Sequence, residues 1–402
     1  MPRIDSILQL VQAQGASDLH LVSGSSPMLR LHGELSPIEY APLTSEVIVG
    51  LLAEIMTDEQ MERYQALEEV DFAYEVPQVV RLRCNVYQQA NGMAAAFRLL
   101  PTRILTVEQL GLPPQVLRFA EMNRGLVVVT GPPGSGKSTT LAAIVDHINR
   151  TRKRHVITLE DPIEYVHRNH GCLMNQREVG RNTRSFADAL RASLREDPNV
   201  ILVGELRDHE SLALAISAAE TGQLVLCSMH TQSANATVDR ILDAFPSDQQ
   251  NQVRSQLSES LKGIVAQRLL KRADGRGRVA AIEILFGTPA VANLIREKKT
   301  FQLSSIMQTS KRDGMITFED SVLALVRQGV VAPEEASGYG IDPEVLERAW
   351  REASGRSGPQ MVTVDPATPA PNGLLDAFAG TKPEDDPARP GSLASRVGGG
   401  PL

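Results

Sequence analysis

The segment Gly131-Pro132-Pro133-Gly134-Ser135-Gly136-Lys137-Ser138 restricts this chain more than any other. It fits G-x-x-x-x-G-K-[ST] and stands between Leu126-Val127-Val128-Val129-Thr130, a β-branched run, and Ser138-Thr139-Thr140-Leu141-Ala142-Ala143-Ile144-Val145, which reads as a helix. Strand, glycine loop and helix in that order make a phosphate-binding loop. Its backbone N–H groups close around the β- and γ-phosphates at the positive end of the helix. Lys137 is expected to reach the β- and γ-phosphates, and the Ser138 hydroxyl to ligate Mg²⁺. Gly131, Pro132, Pro133, Gly134, Ser135, Gly136, Lys137, Ser138 and Thr139 are therefore the expected contacts of a nucleoside triphosphate. The competing reading is a glycine-rich turn that binds nothing.

At 402 residues the chain is long enough for two domains with proper cores plus tails. Its net charge of −7 argues against a nucleic-acid binder working through a broad basic face. No apolar run approaches the ~20 residues needed to span a bilayer. The start, Met1-Pro2-Arg3-Ile4-Asp5, lacks the basic-then-apolar order of a signal peptide. Cys84, Cys172 and Cys227 never form C-x-x-C, which argues against a disulfide framework or a cysteine zinc site. A cytoplasmic protein is expected, with any membrane association made through a partner.

Residues 4–14 read as a helix, 18–22 and 27–32 as strands with Gly33 at the turn, 44–55 and 58–66 as helices, and 70–76 as a strand. Residues 79–99 read as a hairpin turning at Asn91-Gly92, the pair favoured in a type I′ turn. Residues 1–100 thus make a small α+β domain of the kind seen in sensor modules. Pro101 and Gly111-Leu112-Pro113-Pro114 mark a linker over 101–114. Over 115–345 apolar strands (126–130, 155–159, 200–203, 224–229) alternate with helices, which predicts an α/β domain with a parallel-rich sheet covered on both faces. Residues 354–402 turn to Gly, Pro, Ser, Ala and Asp and read as a disordered tail. Its apolar cluster Leu374-Leu375-Asp376-Ala377-Phe378-Ala379 is a docking segment or a chance grouping.

Ligands of open α/β sheets sit at the carboxyl ends of the strands, and two acidic sets fall there. Val156-Ile157-Thr158-Leu159 runs into Glu160-Asp161-Pro162-Ile163-Glu164, and Val200-Ile201-Leu202-Val203-Gly204 into Glu205, with Arg207 and Asp208 beyond. Glu205 is the candidate for polarising the attacking water and a candidate metal contact. Glu160 and Asp161 are candidates for ordering the metal's water shell. The plainer reading of either set is a solvated turn after a strand. His230 follows a third apolar strand and would sense the γ-phosphate there; a structural, hydrogen-bonded histidine is the alternative. The run Arg150-Thr151-Arg152-Lys153-Arg154-His155 ends the helix after the loop, where cations suit the dipole, and is read as structural.

In the hairpin, a turn at Asn91-Gly92 puts Asn85 opposite Arg98 and makes Arg83 and Arg98 diagonal neighbours on one face. Like charges so close ask for an anion between them, and a triphosphate would serve, so both are candidate arginine fingers. Two solvated arginines with room to splay are the alternative.

Together these pieces resemble the secretion ATPase superfamily and, within it, the type IV pilus retraction ATPases of PilT type. The similarity runs from about Gly15 to about residue 340. It is carried by Gly15-Ala16-Ser17-Asp18-Leu19-His20-Leu21, the phosphate loop, Leu159-Glu160-Asp161-Pro162-Ile163-Glu164, Leu194-Arg195-Glu196-Asp197-Pro198, Gly204-Glu205-Leu206-Arg207-Asp208, and Ala219-Glu220-Thr221-Gly222 through Met229-His230-Thr231. The resemblance implies a PAS-like N-terminal domain, a RecA-like ATPase domain with C-terminal helices, and a homohexameric ring with ATP between the two domains. It also implies nucleotide roles for Arg83, Arg98 and His230, and makes Glu205 the catalytic glutamate. The partner it implies is an inner-membrane pilus platform protein, with a paralogous retraction ATPase as a second.

Assembly ATPases of the superfamily typically carry an extra N-terminal domain and a four-cysteine zinc site. This sequence opens on the PAS-like part and has no cysteine cluster. It also contains Ala290-Val291-Ala292-Asn293-Leu294-Ile295-Arg296-Glu297, close to a motif of retraction motors. Both points favour Mg-dependent ATP hydrolysis driving pilus retraction. Gln223 stands in place of a second histidine, Ala292 in place of an arginine, and Pro133 in place of a threonine. The other readings are an assembly or type II secretion ATPase, a PilU-type accessory subunit, a nucleotide-responsive ring subunit that needs a paralogue for work, and, least supported, a DNA translocase.

Overall fold

The computed structural model describes residues 2–31, 34–77, 79–100, 103–275 and 277–354. Expectations for Gly33 as a turn, Pro101, the 354–402 tail beyond its first residue and the 374–379 cluster fall outside the described residues. The chain divides into two compact units, one up to Leu99 and one from Leu100.

The first unit contains α1 (Arg3–Ala13), β1 (Asp18–Val22), β2 (Met28–Leu31), β3 (Glu34–Pro37), α2 (Ser45–Leu52), α3 (Asp58–Gln65), β4 (Val70–Val76), β5 (Val80–Gln89) and β6 (Gly92–Leu100). The strands form one sheet in the order β3-β2-β1-β6-β5-β4. Alternation is clearest in β5, where Val80, Leu82, Cys84 and Val86 are buried and Arg81, Arg83 and Asn85 are not. That pattern turns one face onto Ile4, Ile7, Leu8 and Val11 of α1 and Ile48, Leu51 and Leu52 of α2. Thr44 caps α2, and Thr57 with Gln60 forms a capping box at α3.

The β5–β6 turn differs from expectation. The strands end at Gln89 and resume at Gly92, so the turn residues are Ala90 and Asn91. Neither has the positive φ of a type I′ turn; Gly92 does, at +114°. The glycine is needed inside the strand, where a Cβ would come within 2.6 Å of Ser45 Oγ. That hydroxyl accepts the Met93 N–H at 3.2 Å. The changed turn removes the basis for placing Asn85 opposite Arg98.

The second unit opens with α4 (Leu117–Ala120), then β7 (Gly125–Thr130), α5 (Lys137–Thr151), β8 (His155–Glu160), β9 (Leu173–Glu178), α6 (Phe186–Ser193), β10 (Val200–Val203), α7 (His209–Thr221), β11 (Leu224–Met229), α8 (Ala234–Asp243), α9 (Gln250–Ser260), β12 (Leu261–Lys271), β13 (Arg278–Phe286), α10 (Pro289–Arg296), α11 (Leu303–Thr309), α12 (Phe318–Arg327), α13 (Pro333–Ala336) and α14 (Pro343–Ser354). Its sheet runs β13-β12-β7-β11-β10-β8-β9, parallel throughout except for the antiparallel edge strand β13. Every residue of β7, β10 and β11 is buried, as required of strands covered on both faces.

Two boundaries depart from the sequence reading. Val107 and Leu112, expected in a linker, are buried in the main core of this unit. The C-terminal helices continue to Ser354 and build a second core, in which Val322, Val326, Val331, Leu346 and Ala349 pack on Leu270 and Ala281.

Candidate active site

Parallel register aligns the ends of four strands. Thr130 of β7 pairs with Met229 of β11, Cys227 with Val203 of β10, and Val203 with Leu159 of β8. The residues that follow are Gly131, His230, Gly204 with Glu205, and Glu160, so the sheet delivers them to one edge.

The loop from Gly131 to Gly136 enters α5 in a way unlike the neighbouring helices. Ser185, Asp208 and Ser233 cap α6, α7 and α8 through their side chains. Helix α5 instead starts from Gly136 at φ 88°, with no side-chain cap and no acid in its first turn. Its first N–H groups are left for an anion. The Ser135 hydroxyl is buried in this loop without a partner among the described residues. Pro132, Pro133, Gly134 and Ser138 are exposed, and Thr139 is half-buried with its Oγ1 2.8 Å from the Tyr165 hydroxyl. This donor set suits a polyphosphate.

Lys137 is buried, and its ammonium donates to the carbonyls of Gly131 (3.0 Å) and Pro132 (3.1 Å) and to Nδ1 of His230 (3.3 Å). Burial lowers its pKa, opposed by the charges of Glu205 and Glu164. Nε2 of His230 lies 2.9 Å from Glu205 Oε1. An ammonium can only donate, so Nδ1 is an acceptor and Nε2–H faces the carboxylate; the tautomer follows from these two partners. Arg207 holds the other oxygen of Glu205 at 2.6 Å. Burial pushes the Glu205 carboxyl up, but Arg207 and His230 outweigh it and leave the group below the ordinary carboxylate range. Lys137, His230, Glu205 and Arg207 are thus one hydrogen-bonded chain. Asp208 lies outside it as the N-cap of α7.

Glu160 is in a different state. Burial raises it to about 7, although Thr158 and Gln176 both bond to it. Asp161 is exposed, and Glu164 is half-buried. Hydroxyl and carboxylate oxygens at Ser138, Glu160, Asp161 and Glu205 are the hard donors that Mg²⁺ takes. Among the described residues there is no group of three or more His, Cys, Asp or Glu able to hold a metal alone. Such a donor set fits an ion carried largely by phosphate and water.

In the first unit, Arg98 pairs with Asp18 at 2.9 Å and Arg83 with Asp71 at 3.5 Å. Each arginine thus has a carboxylate on a neighbouring strand. Arg98 nonetheless keeps 68% of its side chain exposed, although Asp18 itself is buried. Gln223 precedes β11 and its carbonyl accepts the Gly125 N–H, at the end of the sheet opposite His230. Its departure from the usual histidine therefore does not alter the chain from Lys137 to Arg207. Ala292 is half-buried in α10.

Sequence reasoning missed Gln267 on β12. Its Oε1 accepts the Thr140 hydroxyl at 2.7 Å, and its Nε2 donates to the Ser135 carbonyl at 2.6 Å, bracing the loop from beneath. Glycine at 131 and 136 permits this close approach, because a Cβ would fall 2.2 Å from the Gln267 carbonyl or 2.8 Å from its Nε2. Asp274-Gly275 beside two apolar runs was the available hairpin signal for β12 and β13. Glu164, whose charge acts on both Lys137 and Glu160, has no role that its place in the sequence alone reveals.

The sheet order, the loop and the aligned strand ends agree with what most of the chain matches. The family model for type II/IV secretion system proteins covers residues 1–300, and the chain belongs to that family. It is 48% identical over 341 residues to the type IV pilus retraction ATPase PilT of Pseudomonas aeruginosa, covering 85% of this chain and 99% of that one. It is also 48% identical over 331 residues to a twitching motility protein of Neisseria gonorrhoeae, covering 82% and 88%. The crystal structure of the pilus retraction motor PilT with bound ADP superposes with a TM-score of 0.78 at 45% identity, covering 85% of this chain and 98% of that one. No helix among the described residues is long and apolar enough to cross a membrane.

Proposed function

We propose that this chain is an Mg-dependent ATPase that drives type IV pilus retraction as a homohexameric ring, in the cytoplasm against an inner-membrane platform protein. The observation that carries the reading is the hydrogen-bonded chain Lys137–His230–Glu205 beside an uncapped helix N-terminus. The near full-length similarity to named retraction motors supports it. In this reading the second unit is a RecA-like ATPase domain and the first a PAS-like domain.

ATP binds with its phosphates along Gly131–Thr139. Lys137 exchanges its carbonyl and histidine partners for phosphate oxygens. Glu205 accepts the proton of a water as that water's oxygen bonds to the γ-phosphorus and the bond to the ADP oxygen breaks. His230, released by Lys137 when phosphate arrives and still bonded to Glu205, passes that change on to the carboxylate. Ser138, Glu160, Asp161 and Glu205 would hold Mg²⁺, which when bound neutralises charge on the phosphates. Arg83 and Arg98 would supply further positive charge to the triphosphate. Conformational change driven by ATP binding and hydrolysis then becomes mechanical work.

The test is Lys137→Ala in cells that depend on this protein, scored for surface pili and twitching. Abundant pili with lost twitching are expected. Lost pili would make it an assembly or secretion motor, and no change in either would make it an accessory subunit.

A further inference from the structure

Between β8 and β9 the chain forms a strap, residues 161–172, laid along α5. Tyr165 ties it to the first turn of the helix through Thr139 at 2.8 Å. Asn149 ties it near the end, donating to the Arg168 carbonyl and accepting the N–H groups of His170 and Cys172. The strap meets the sheet at Gln176 of β9. Its Oε1 accepts the His167 N–H at 2.7 Å, and its Nε2 donates to the Tyr165 carbonyl at 2.9 Å and to Glu160 Oε1 at 3.1 Å. Turning this amide over would set donor against donor at His167 and acceptor against acceptor at Tyr165 and Glu160. The backbone of the strap therefore fixes which end of Gln176 faces the carboxylate.

Gln176 is also the register partner of Thr158, whose hydroxyl donates to the same Glu160 oxygen at 2.6 Å. Two donors from adjacent strands converge on Oε1, and neither uses Oε2. We infer that Gln176 is a positioning residue of the hydrolytic site, acting through Glu160: it presents the second carboxylate oxygen in one fixed orientation and links that orientation to the strap that Thr139 anchors. The inference rests on the ATPase reading above and names a residue that holds the site without touching substrate.

The experiment is steady-state ATP hydrolysis by the full chain carrying Gln176→Met or Gln176→Glu, with thermal melting and fluorescent-ADP binding measured on the same samples. Methionine keeps the length and removes both the donor toward Glu160 and Tyr165 and the acceptor toward His167. Glutamate keeps the shape and the acceptor toward His167 but turns an acceptor toward Glu160. The expected result is a kcat lowered roughly tenfold to a hundredfold by methionine and further by glutamate, with KM and ADP affinity little changed and a melting temperature lowered in both variants by the bonds lost to the strap. Thr158→Val removes the other donor isosterically and should act in the same direction. An unchanged kcat in Gln176→Met, or glutamate outperforming methionine, would overturn the inference, because either would mean that Gln176 only fills space. A kcat that falls only in step with melting temperature or ADP affinity would overturn it too. Wild type without ATP turnover, or Lys137→Ala retaining it, would instead remove the ATPase reading itself.

Discussion

Nε2 of His230 lies 2.9 Å from Oε1 of Glu205, while Nδ1 of the same ring accepts from Lys137 at 3.3 Å. One imidazole thus connects the candidate phosphate-binding lysine to the candidate base. Replacing it by alanine removes a hydrogen bond to each of two charged groups. At about 1.5–3 kcal/mol for such a bond, His230→Ala should lower kcat on the order of tenfold to a hundredfold while ADP still binds. Turnover and fluorescent-nucleotide titration on one preparation check it; unchanged turnover would leave His230 a structural residue.

Gln267→Leu should weaken the loop without touching nucleotide. It leaves the Ser135 carbonyl and the Thr140 hydroxyl unpaired in a buried place, at roughly 1–3 kcal/mol for each group left unsatisfied. A lower melting temperature together with weaker ADP binding is expected. A loss of stability alone would show that the brace does not shape the loop.

Arg98→Ala should separate function from stability. Arg98 itself is largely exposed, and Asp18 keeps Arg30 and the Ser17 hydroxyl as partners, so melting should change by less than about 1 kcal/mol equivalent. If Arg98 reaches the triphosphate, turnover falls on the order of a thousandfold, as for an arginine finger. Equal turnover in mutant and wild type would return Arg98 to the sheet surface.

His167 makes folding sensitive to acid. Burial pushes its pKa down to about 4 from the ordinary 6.5. Between those values the unfolded chain binds a proton that the folded chain does not. Stability is therefore complete above pH 6.5 and falls as pH drops toward 4, by on the order of 3 kcal/mol. Melting temperatures across pH 4–7 for wild type and His167→Gln check this. A parallel pair of curves would show that another group carries the acid sensitivity.

Much of the site was legible from residues near one another in sequence. A loop spacing, and acids directly after apolar runs, are local patterns, and in a parallel sheet the end of one strand implies the end of the next. The exact strand bounds at Val70–Val76, Val200–Val203 and Leu224–Met229 follow from the same regularity. The Asn91-Gly92 turn was misplaced because a serine 46 positions before Asn91 needs the glycine inside the strand, a demand that no local window contains. The carboxylates that pair with Arg98 and Arg83, Asp18 and Asp71, lie on other strands, so no local window shows those pairs.

The sequence by itself determined a glycine-rich loop of the phosphate-binding pattern on a strand–helix junction, carboxylates at neighbouring strand ends, and a small α+β unit ahead of them. Only the tertiary structure decided which side chains act on which. It set Gln267 beneath the loop, Gln176 against Glu160, and His230 between Lys137 and Glu205. The reason is physical: backbone periodicity and glycine geometry act over a few residues, whereas a hydrogen bond between strands depends on a register that the whole packed sheet sets.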